Sequence, residues 1–177
     1  MLKILLPPAA FVLTYFGVEF FRRWSVRKQI LDLPNERSSH TRPTPVGGGL
    51  VIVFVSLFLF AFFIFLNESK FPTGYFIGTG IVVLISWLDD LYEIPAILRF
   101  ICHSFAAITV IASFQNFVGF GAASFWGVDL QYIAPVVLFF WIVWMINAYN
   151  FMDGIDGIAA LQAVTAGIGW IFVAHRF

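Results

Sequence analysis

Two short segments carry carboxylate and amide side chains at spacings that could bind a cation. Asp89 and Asp90 are adjacent and directly follow an apolar stretch that ends at Leu88. Neighbouring like charges repel, and at a helix C-terminus they also oppose the helix dipole. A cation would relieve both penalties. Because consecutive helical residues point about 100° apart, we expect one carboxylate to bind it while the other faces elsewhere. Alternatively, the pair marks only a helix end.

The second segment places four oxygen-bearing side chains three residues apart, namely Asn147, Asn150, Asp153 and Asp156. On a straight helix each step of three rotates by about 60°, so neighbours in the series share a face but the first and last do not. Gly154 and Gly157 indicate that the backbone leaves the helix here, which could turn both carboxylates the same way. A polar helix end capped by glycines is the alternative. Oxygen ligands without a nearby His or Cys suit Mg²⁺ or Mn²⁺ better than zinc.

A third polar segment contains Arg37 and His40 and leads to Gly47, Gly48 and Gly49, which open an apolar stretch. The free N–H groups at a helix start can approach a phosphate closely when no side chains intervene. Close helix packing through small residues explains the glycines equally well.

Two ionisable residues lie within apolar stretches. His103 follows Arg99 by four residues and shares its helical face, a position more typical of a packed, hydrogen-bonded residue than of a ligand. Glu19 has Arg22 and Arg23 as candidate ion-pair partners, or reaches the membrane interface.

The composition requires a membrane around these residues. Of 177 residues, 60% are hydrophobic and only 11% charged, against roughly 25% charged in an ordinary soluble domain. A soluble enzyme is therefore excluded. Ten basic and ten acidic residues cancel, which argues against nucleic acid as a partner. We predict an all-α, polytopic membrane helix bundle that forms a single domain over residues 1–177. Its six spans are Ile4–Phe21, Gly47–Leu66, Tyr75–Leu88, Ile94–Phe114, Tyr132–Ile146 and Ile158–Ala174.

The distribution of basic residues predicts the orientation of the bundle. Placing the first, third and fifth connections in the cytoplasm leaves only Lys3, Lys70 and Arg176 outside among the lysines and arginines. The positive-inside rule then puts the N-terminus outside. With this parity all three polar segments fall on the cytoplasmic face, although they are far apart in sequence.

The sequence thus indicates a site at the membrane that combines carboxylates, a divalent ion and phosphate contacts. Such a site predicts phosphoryl transfer to or from a lipid phosphate. A transporter, in which intramembrane carboxylates bind a cation in passage, is a competing hypothesis. A catalytically inactive segment is another. Carboxylates at span ends on one face fit the transporter less well, because transporter sites usually lie near the bilayer midplane.

The three segments closely resemble those of the polyprenyl-phosphate N-acetylhexosamine-1-phosphate transferases, the glycosyltransferase 4 family that includes the MraY and WecA enzymes. The matching stretches are Asp32–His40 with Pro43–Gly49, Leu88–Asp90 with Arg99, and Asn147–Ala159. The resemblance implies transfer of a sugar-1-phosphate from a UDP-N-acetylated amino sugar to undecaprenyl phosphate, with release of UMP and a requirement for Mg²⁺. It also implies a multi-pass protein of the bacterial inner membrane whose active site faces the cytoplasm.

The same resemblance implies roles for individual residues. Asp89, Asp90 and Asp156 would be metal ligands, with Asp89 a candidate base toward the lipid phosphate. Asn147, Asn150, Asp153 and Asp156 would shape the nucleotide and catalytic pocket. Arg37, His40, Gly48 and Gly49 would contact a phosphate or lipid head group.

The sequence departs from the family pattern at three points. Val46 stands where many relatives have a basic residue, and His103 where Gln is frequent. Family members are also roughly twice as long, so we expect this chain to be the N-terminal half of a longer transferase. The choice of amino sugar, the polymer pathway and the oligomeric state are left open by the sequence.

Overall fold

The computed structural model describes residues 5–32, 43–92, 94–114, 124–125, 128–152 and 157–176. These residues form six helices and two short antiparallel hairpins. The helices are α1 (Leu6–Lys28), α2 (Gly48–Leu66), α3 (Thr73–Tyr92), α4 (Ala96–Phe114), α5 (Leu130–Met152) and α6 (Ile158–Arg176). In the first hairpin β1 (Leu31–Asp32) pairs with β2 (Thr44–Pro45), and in the second β3 (Ser124–Phe125) pairs with β4 (Val128–Asp129).

The all-α membrane bundle predicted from the sequence is confirmed. Within the described residues, four helical segments are long and apolar enough to cross a bilayer: Gly48–Leu66, Thr73–Tyr92, Ala96–Ser113 and Ile133–Asn150. Large apolar side chains point outward, with Phe65 77% and Trp170 72% exposed, as expected where lipid rather than water is the solvent. The first and last predicted spans are helical too, but α1 carries Glu19, Arg22 and Arg23, and the apolar part of α6 covers only Ala160–Val173.

Several predicted boundaries were too narrow. Helix α1 continues beyond Phe21 to Lys28, α3 beyond Leu88 to Tyr92, and α5 beyond Ile146 to Met152. The physical reason is that apolarity marks the part of a helix that lies in the membrane, whereas the hydrogen-bonded helix continues into the polar interface. As a result Asp89, Asp90, Asn147 and Asn150 are all helical residues.

Helices α3 and α4 pack most closely, through two glycines one turn apart on α3. A Cβ at Gly74 would lie 2.1 Å from the carbonyl oxygen of Thr109, and one at Gly78 would lie 2.8 Å from that of Ala106. The amide of Gly74 also donates a hydrogen bond to Ser113 Oγ across the interface, at 3.2 Å. Small residues at this spacing let two membrane helices approach backbone to backbone. This contact holds the N-terminal turns of α3 against the C-terminal half of α4.

Two further pairs of helices are in extensive contact. Helix α1 packs on α2, and α4 packs on α5. Glu19 accepts hydrogen bonds from both Arg22 and Arg23 at 2.7–2.9 Å, so the predicted ion pair of this carboxylate is confirmed. Ala106, Ala107 and Val143 are among the few buried apolar residues, and they place the core between α4 and its neighbours.

Candidate active site

Asp89 links α3 to the start of α4. Its Oδ2 accepts a hydrogen bond from a guanidinium nitrogen of Arg99, and its Oδ1 accepts one from the backbone amide of Ile94 at 2.8 Å. The side chains of Asp89 and Arg99 are only 19% and 30% exposed. A charge-assisted hydrogen bond of this kind is stronger than a neutral one and holds its partners in a defined geometry. Asp89 therefore closes the α3–α4 turn and anchors Arg99.

Asp90 lies elsewhere on the same helix. It follows Asp89 by one residue, so its side chain leaves the helix about 100° away from the α4 contact, and the residue is exposed. Trp87 precedes it by one turn on a neighbouring part of the surface. The two adjacent carboxylates thus face different surroundings, and Asp90 is the more exposed of the two.

His103 connects α4 to α5 through a side-chain hydrogen bond with Asn147. The His103 side chain is 3% exposed, and its Nδ1 finds no hydrogen-bond partner among the described residues. Asn147 also donates from Nδ2 to the carbonyl oxygen of Val143 at 2.7 Å. Since His103 lies one helical turn from Arg99, the pairs Asp89–Arg99 and His103–Asn147 lie close together on α4 and link it to α3 and to α5.

This path brings two sequence segments to one end of the bundle. Asn147 lies next to the first turns of α4, so the C-terminal part of α5 runs alongside the α4 N-terminus. Asn150 lies one turn further toward the end of α5, about 4.5 Å along the helix axis, at the depth of Arg99, and it is exposed. Helix α5 then ends at Met152, and Gly157 has a φ of 80°, in keeping with the predicted break in the helix. Asp153 and Asp156 lie outside the described residues.

Gly47 brings the α2 N-terminus to the same end of the bundle. It adopts a left-handed φ of 91°, and an added Cβ would lie 2.6 Å from ring carbons of both Phe21 and Trp87. Gly48 makes only an ordinary contact, 3.7 Å from Val18, and Gly49 has no neighbour within 4 Å. Gly47 is therefore needed for packing, whereas Gly49 leaves the first turn of α2 open to a ligand.

The remaining predicted contacts belong to the segment between β1 and β2. Arg37 and His40 lie outside the described residues. The pairing of Leu31 with Pro45 and of Asp32 with Thr44 joins the two ends of this segment, and β2 contacts α1. The segment therefore starts and ends beside the C-terminus of α1 and the N-terminus of α2.

The oxygen-bearing side chains at this end of the bundle are of the type that a hard divalent cation prefers. Asp90 and Asn150 are exposed residues with oxygen-bearing side chains near the helix ends, and oxygen ligands are those that Mg²⁺ and Mn²⁺ prefer. Among the described residues there is no group of three or more His, Cys, Asp or Glu side chains placed to hold a metal, and Asp153 and Asp156 are not among those residues. Both oxygens of Asp89 accept hydrogen bonds, and Asp90 is the more exposed residue of the adjacent pair.

Two features of this site were not predicted from the sequence. His103 was expected to be a packed, hydrogen-bonded residue, but no local pattern identifies its partner Asn147, because the two residues lie on different helices. The pair Gly74 and Gly78 was not predicted either, although small residues four apart in an apolar helix are a recognisable signal for close packing.

The fold and the site define a class of protein. It is a membrane-embedded helix bundle with carboxylate and amide side chains at one end. The sequence model of glycosyl transferase family 4 matches residues 72–176, which include the α3–α4 contact and the segment from Asn147 to Gly157. The chain belongs to this family.

Curated relatives extend the similarity toward the N-terminus. The undecaprenyl-phosphate alpha-N-acetylglucosaminyl 1-phosphate transferase of Thermotoga maritima is 28% identical over 148 residues, covering 83% of this chain and 44% of that protein. A probable undecaprenyl-phosphate N-acetylglucosaminyl 1-phosphate transferase of Bacillus subtilis is 27% identical, with coverages of 78% and 39%. The decaprenyl-phosphate N-acetylglucosaminephosphotransferase of Mycolicibacterium smegmatis is 29% identical, with coverages of 89% and 41%. The chain thus spans less than half the length of these relatives. No solved structure matches it significantly.

Proposed function

We propose that the protein transfers an N-acetylated amino-sugar-1-phosphate from a UDP-sugar to undecaprenyl phosphate and releases UMP. Family membership and the names of the relatives support this reaction class. The observation that carries the proposal is the two pairs Asp89–Arg99 and His103–Asn147, because they bring the C-terminal ends of α3 and α5 to one end of the bundle. Such convergence is what a reaction between a membrane-bound phosphate and a water-soluble nucleotide requires.

The side chains have different proposed roles according to their surroundings. Asp90 is exposed and faces the lipid phosphate, whereas Asp89 positions Arg99 and the α3–α4 turn. Asn147 and Asn150 bind the nucleotide sugar, together with Asp153 and Asp156. Arg37, His40 and the amides of Gly48 and Gly49 contact phosphate groups.

Mg²⁺, with Mn²⁺ as a substitute, is the proposed cofactor, held by Asp90 and Asp156 with Asp89 adjacent. When bound, it would neutralise the negative charge that develops on the diphosphate. The contribution of the chain itself is to hold acceptor and donor in line, which supplies most of the catalysis in phosphoryl transfer.

We propose that this end of the bundle faces the cytoplasm of a bacterial inner membrane. Arg27 and Lys28 lie in the last turn of α1, beside the start of α2 and hence at the same end as Asp90. Cytoplasmic ends of membrane helices carry an excess of such residues. The UDP-sugar would reach the site from that compartment.

Transfer of label from UDP-[¹⁴C]N-acetylglucosamine into undecaprenyl phosphate tests the proposal. Membranes should contain this chain, both alone and within the longest polypeptide that its reading frame encodes. Asp90→Asn should abolish lipid labelling. The matched control is Glu68→Gln, which alters an exposed carboxylate after the opposite end of α2 and should keep full activity.

Two outcomes would contradict the proposal. If the Asp90→Asn variant still labels the lipid, the Asp90 carboxylate is not required for the reaction. Uptake of a soluble solute without lipid labelling would favour the transporter hypothesis instead.

A further inference from the structure

Five of the described helices pack as two units that meet along α2 and α3. In the first unit α1 packs on α2, and in the second α3 packs on α4, which packs on α5. Contacts between α2 and α3 are sparse by comparison, and an apolar gap of about 330 Å³ lies between the first half of α2 and the second half of α3. The position of one unit against the other therefore depends on a small number of contacts.

The chemical groups of the candidate site are divided between the two units. Asp90 and Asn150 lie on α3 and α5, in the second unit. The segment that carries Arg37 and His40 belongs to the first unit, because its ends pair as β1 and β2 and because β2 contacts α1. Gly49, in the open first turn of α2, also belongs to the first unit. A phosphate that is held by both sets of groups requires a fixed distance between the units.

Two aromatic rings join the units at the end that carries the candidate site. Phe21 of α1 packs edge-on against Trp87 of α3, with ring centroids 6.1 Å apart and ring planes at 73°. Gly47, which directly precedes α2, lies against both rings, since an added Cβ would be 2.6 Å from a carbon atom of each. These three residues, termed the aromatic joint, bring α1, α2 and α3 together at one point.

The aromatic joint lies next to the site group of the second unit. Trp87 precedes Asp90 by three residues, so the two side chains leave neighbouring parts of α3, about 4.5 Å apart along the helix axis and about 60° apart around it. A helix is stiff over one turn, because its backbone hydrogen bonds connect each residue to the next turn. The position of the indole ring therefore sets the position of the α3 end that carries Asp90 relative to α1 and α2.

The joint is also connected to both ends of the segment between β1 and β2. Phe21 lies one turn before Ser25, which is fully buried and whose hydroxyl donates a hydrogen bond to the carbonyl oxygen of Ile30, the residue before β1. Gly47 follows the end of β2 by two residues. A displacement at the joint would therefore move both ends of this segment, and the first turn of α2, relative to α3.

We propose that Phe21 and Trp87 are positioning residues for sugar-phosphate transfer, because they hold the phosphate-contacting groups of the first unit at a fixed distance from Asp90. The inference rests on the proposed function and adds residues that act without touching a substrate. Where catalysis comes mostly from alignment, a displacement of about 1 Å costs up to about a hundredfold in rate. The joint therefore acts on turnover, whereas Asn147 and Asn150, proposed for nucleotide binding, both lie on the second unit.

A second ring contact between the same units provides a matched control. Phe60 of α2 stacks on Phe76 of α3, with ring centroids 5.9 Å apart and ring planes at 7°. Phe76 precedes Asp90 by 14 residues, which is about 20 Å along α3. Loss of the Phe60 ring should therefore weaken packing between α2 and α3 without moving the groups of the candidate site.

Steady-state transfer from UDP-N-acetylglucosamine to saturating undecaprenyl phosphate tests the aromatic joint, in the longest polypeptide that the reading frame encodes. Trp87→Ala should lower kcat about tenfold or more, with the KM for the UDP-sugar changed by less than about twofold. Phe21→Ala, which leaves the indole in place, should act in the same direction. Trp87→Phe keeps a ring against Gly47 and should restore kcat. Phe60→Ala should keep kcat even if its melting temperature falls as far as that of Trp87→Ala.

Distances between spin labels test the joint without requiring catalysis. Lys28→Cys on α1 and Tyr92→Cys on α3 provide exposed labelling sites near this end of the bundle, and Cys102→Ser removes the single cysteine of the sequence. The labelled protein in nanodiscs should give a narrow distance distribution by double electron–electron resonance. The distribution should broaden in Trp87→Ala and stay narrow in Phe60→Ala.

Several results would overturn the proposal. Unchanged kcat in both Trp87→Ala and Phe21→Ala would remove the joint from the reaction, and an unchanged distance distribution would show that the rings do not hold the units. Equal loss of kcat in Phe60→Ala would mean that activity follows stability. Absence of transfer in the parent protein, with a distribution that broadens in Trp87→Ala, would instead contradict the proposed function and retain the joint as the link between the units.

Discussion

His103 of α4 and Asn147 of α5 are joined by a side-chain hydrogen bond one helical turn from the pair of Arg99 and Asp89. This contact ties the helix that carries Asn150 to the helix that holds Arg99. The buried His103 side chain reaches Asn147 rather than the exposed end of the bundle, so we expect it to position Asn147 rather than to touch a substrate.

Two substitutions of His103 can show whether its hydrogen bond or only its volume matters for the position of Asn147. His103→Leu retains much of the volume but loses the hydrogen bond, so Asn147 would no longer be held, and we expect the KM for the UDP-sugar to rise about tenfold with a smaller change in kcat. His103→Gln can still bond to Asn147 and should restore the KM. Steady-state transfer assays at varied UDP-sugar concentration measure both.

Cys102→Ser provides the neighbouring control, because Cys102 points to a different side of α4. Equal KM values for the Leu and Gln variants would show that the hydrogen bond does not position the nucleotide site. A purely structural effect would instead lower the amount of folded protein in all assays.

The helices of this chain could be predicted largely from its sequence, because unbroken apolar runs have few alternatives in a membrane. The ends of the helices could not. Leu88 is the last apolar residue of its run, yet α3 continues to Tyr92, since a helix that leaves the membrane loses its lipid contacts but keeps its hydrogen bonds.

The site could be predicted in part for a similar reason. Helical periodicity alone implies that Asp89 and Asp90 diverge. The partner of Asp89 depends on how α3 packs against α4, and this packing includes the close approach of Gly74 and Gly78 to backbone atoms of Thr109 and Ala106. Such contacts join residues about thirty positions apart, so no local pattern could assign Arg99 to Asp89 rather than to Asp90.

The Asp89–Arg99 pair should stabilise the folded bundle. We expect Asp89→Asn and Arg99→Gln each to lower the free energy of unfolding by about 2 kcal/mol, because both side chains are mostly buried and each loses a charged partner. The double variant should cost clearly less than the sum of the two, as expected for residues in contact. Denaturant unfolding in detergent micelles measures all three.

Glu19→Gln serves as the control for the Asp89 and Arg99 variants, because it removes an exposed ion pair. Glu19 pairs with Arg22, but the two side chains are 36% and 53% exposed, and exposed ion pairs contribute little. Its effect should be much smaller. Strict additivity of the Asp89 and Arg99 variants would mean that the two charges do not interact.

The same substitution at two glycines of α3 should have different effects on the stability of the bundle. Gly78→Leu forces a side chain against the carbonyl of Ala106, where even a Cβ would lie at 2.8 Å, and should destabilise the bundle by about 3 kcal/mol through overpacking. Gly80→Leu meets open space and should fold normally. Thermal unfolding in the same detergent measures the stability of both variants. Equal stability would show that α3 and α4 do not pack against each other at Gly78.

The glycines at the start of α2 should separate packing from phosphate binding. Gly47→Ala places a side chain at a φ of 91° and against the rings of Phe21 and Trp87, so it should lower the free energy of unfolding by about 2 kcal/mol. Gly49→Ala has open space and gains helix propensity of up to about 1 kcal/mol. If the amide of Gly49 approaches a phosphate, Gly49→Ala should fold as well as the parent protein but transfer sugar phosphate more slowly. Full activity in Gly49→Ala would restrict these glycines to helix packing.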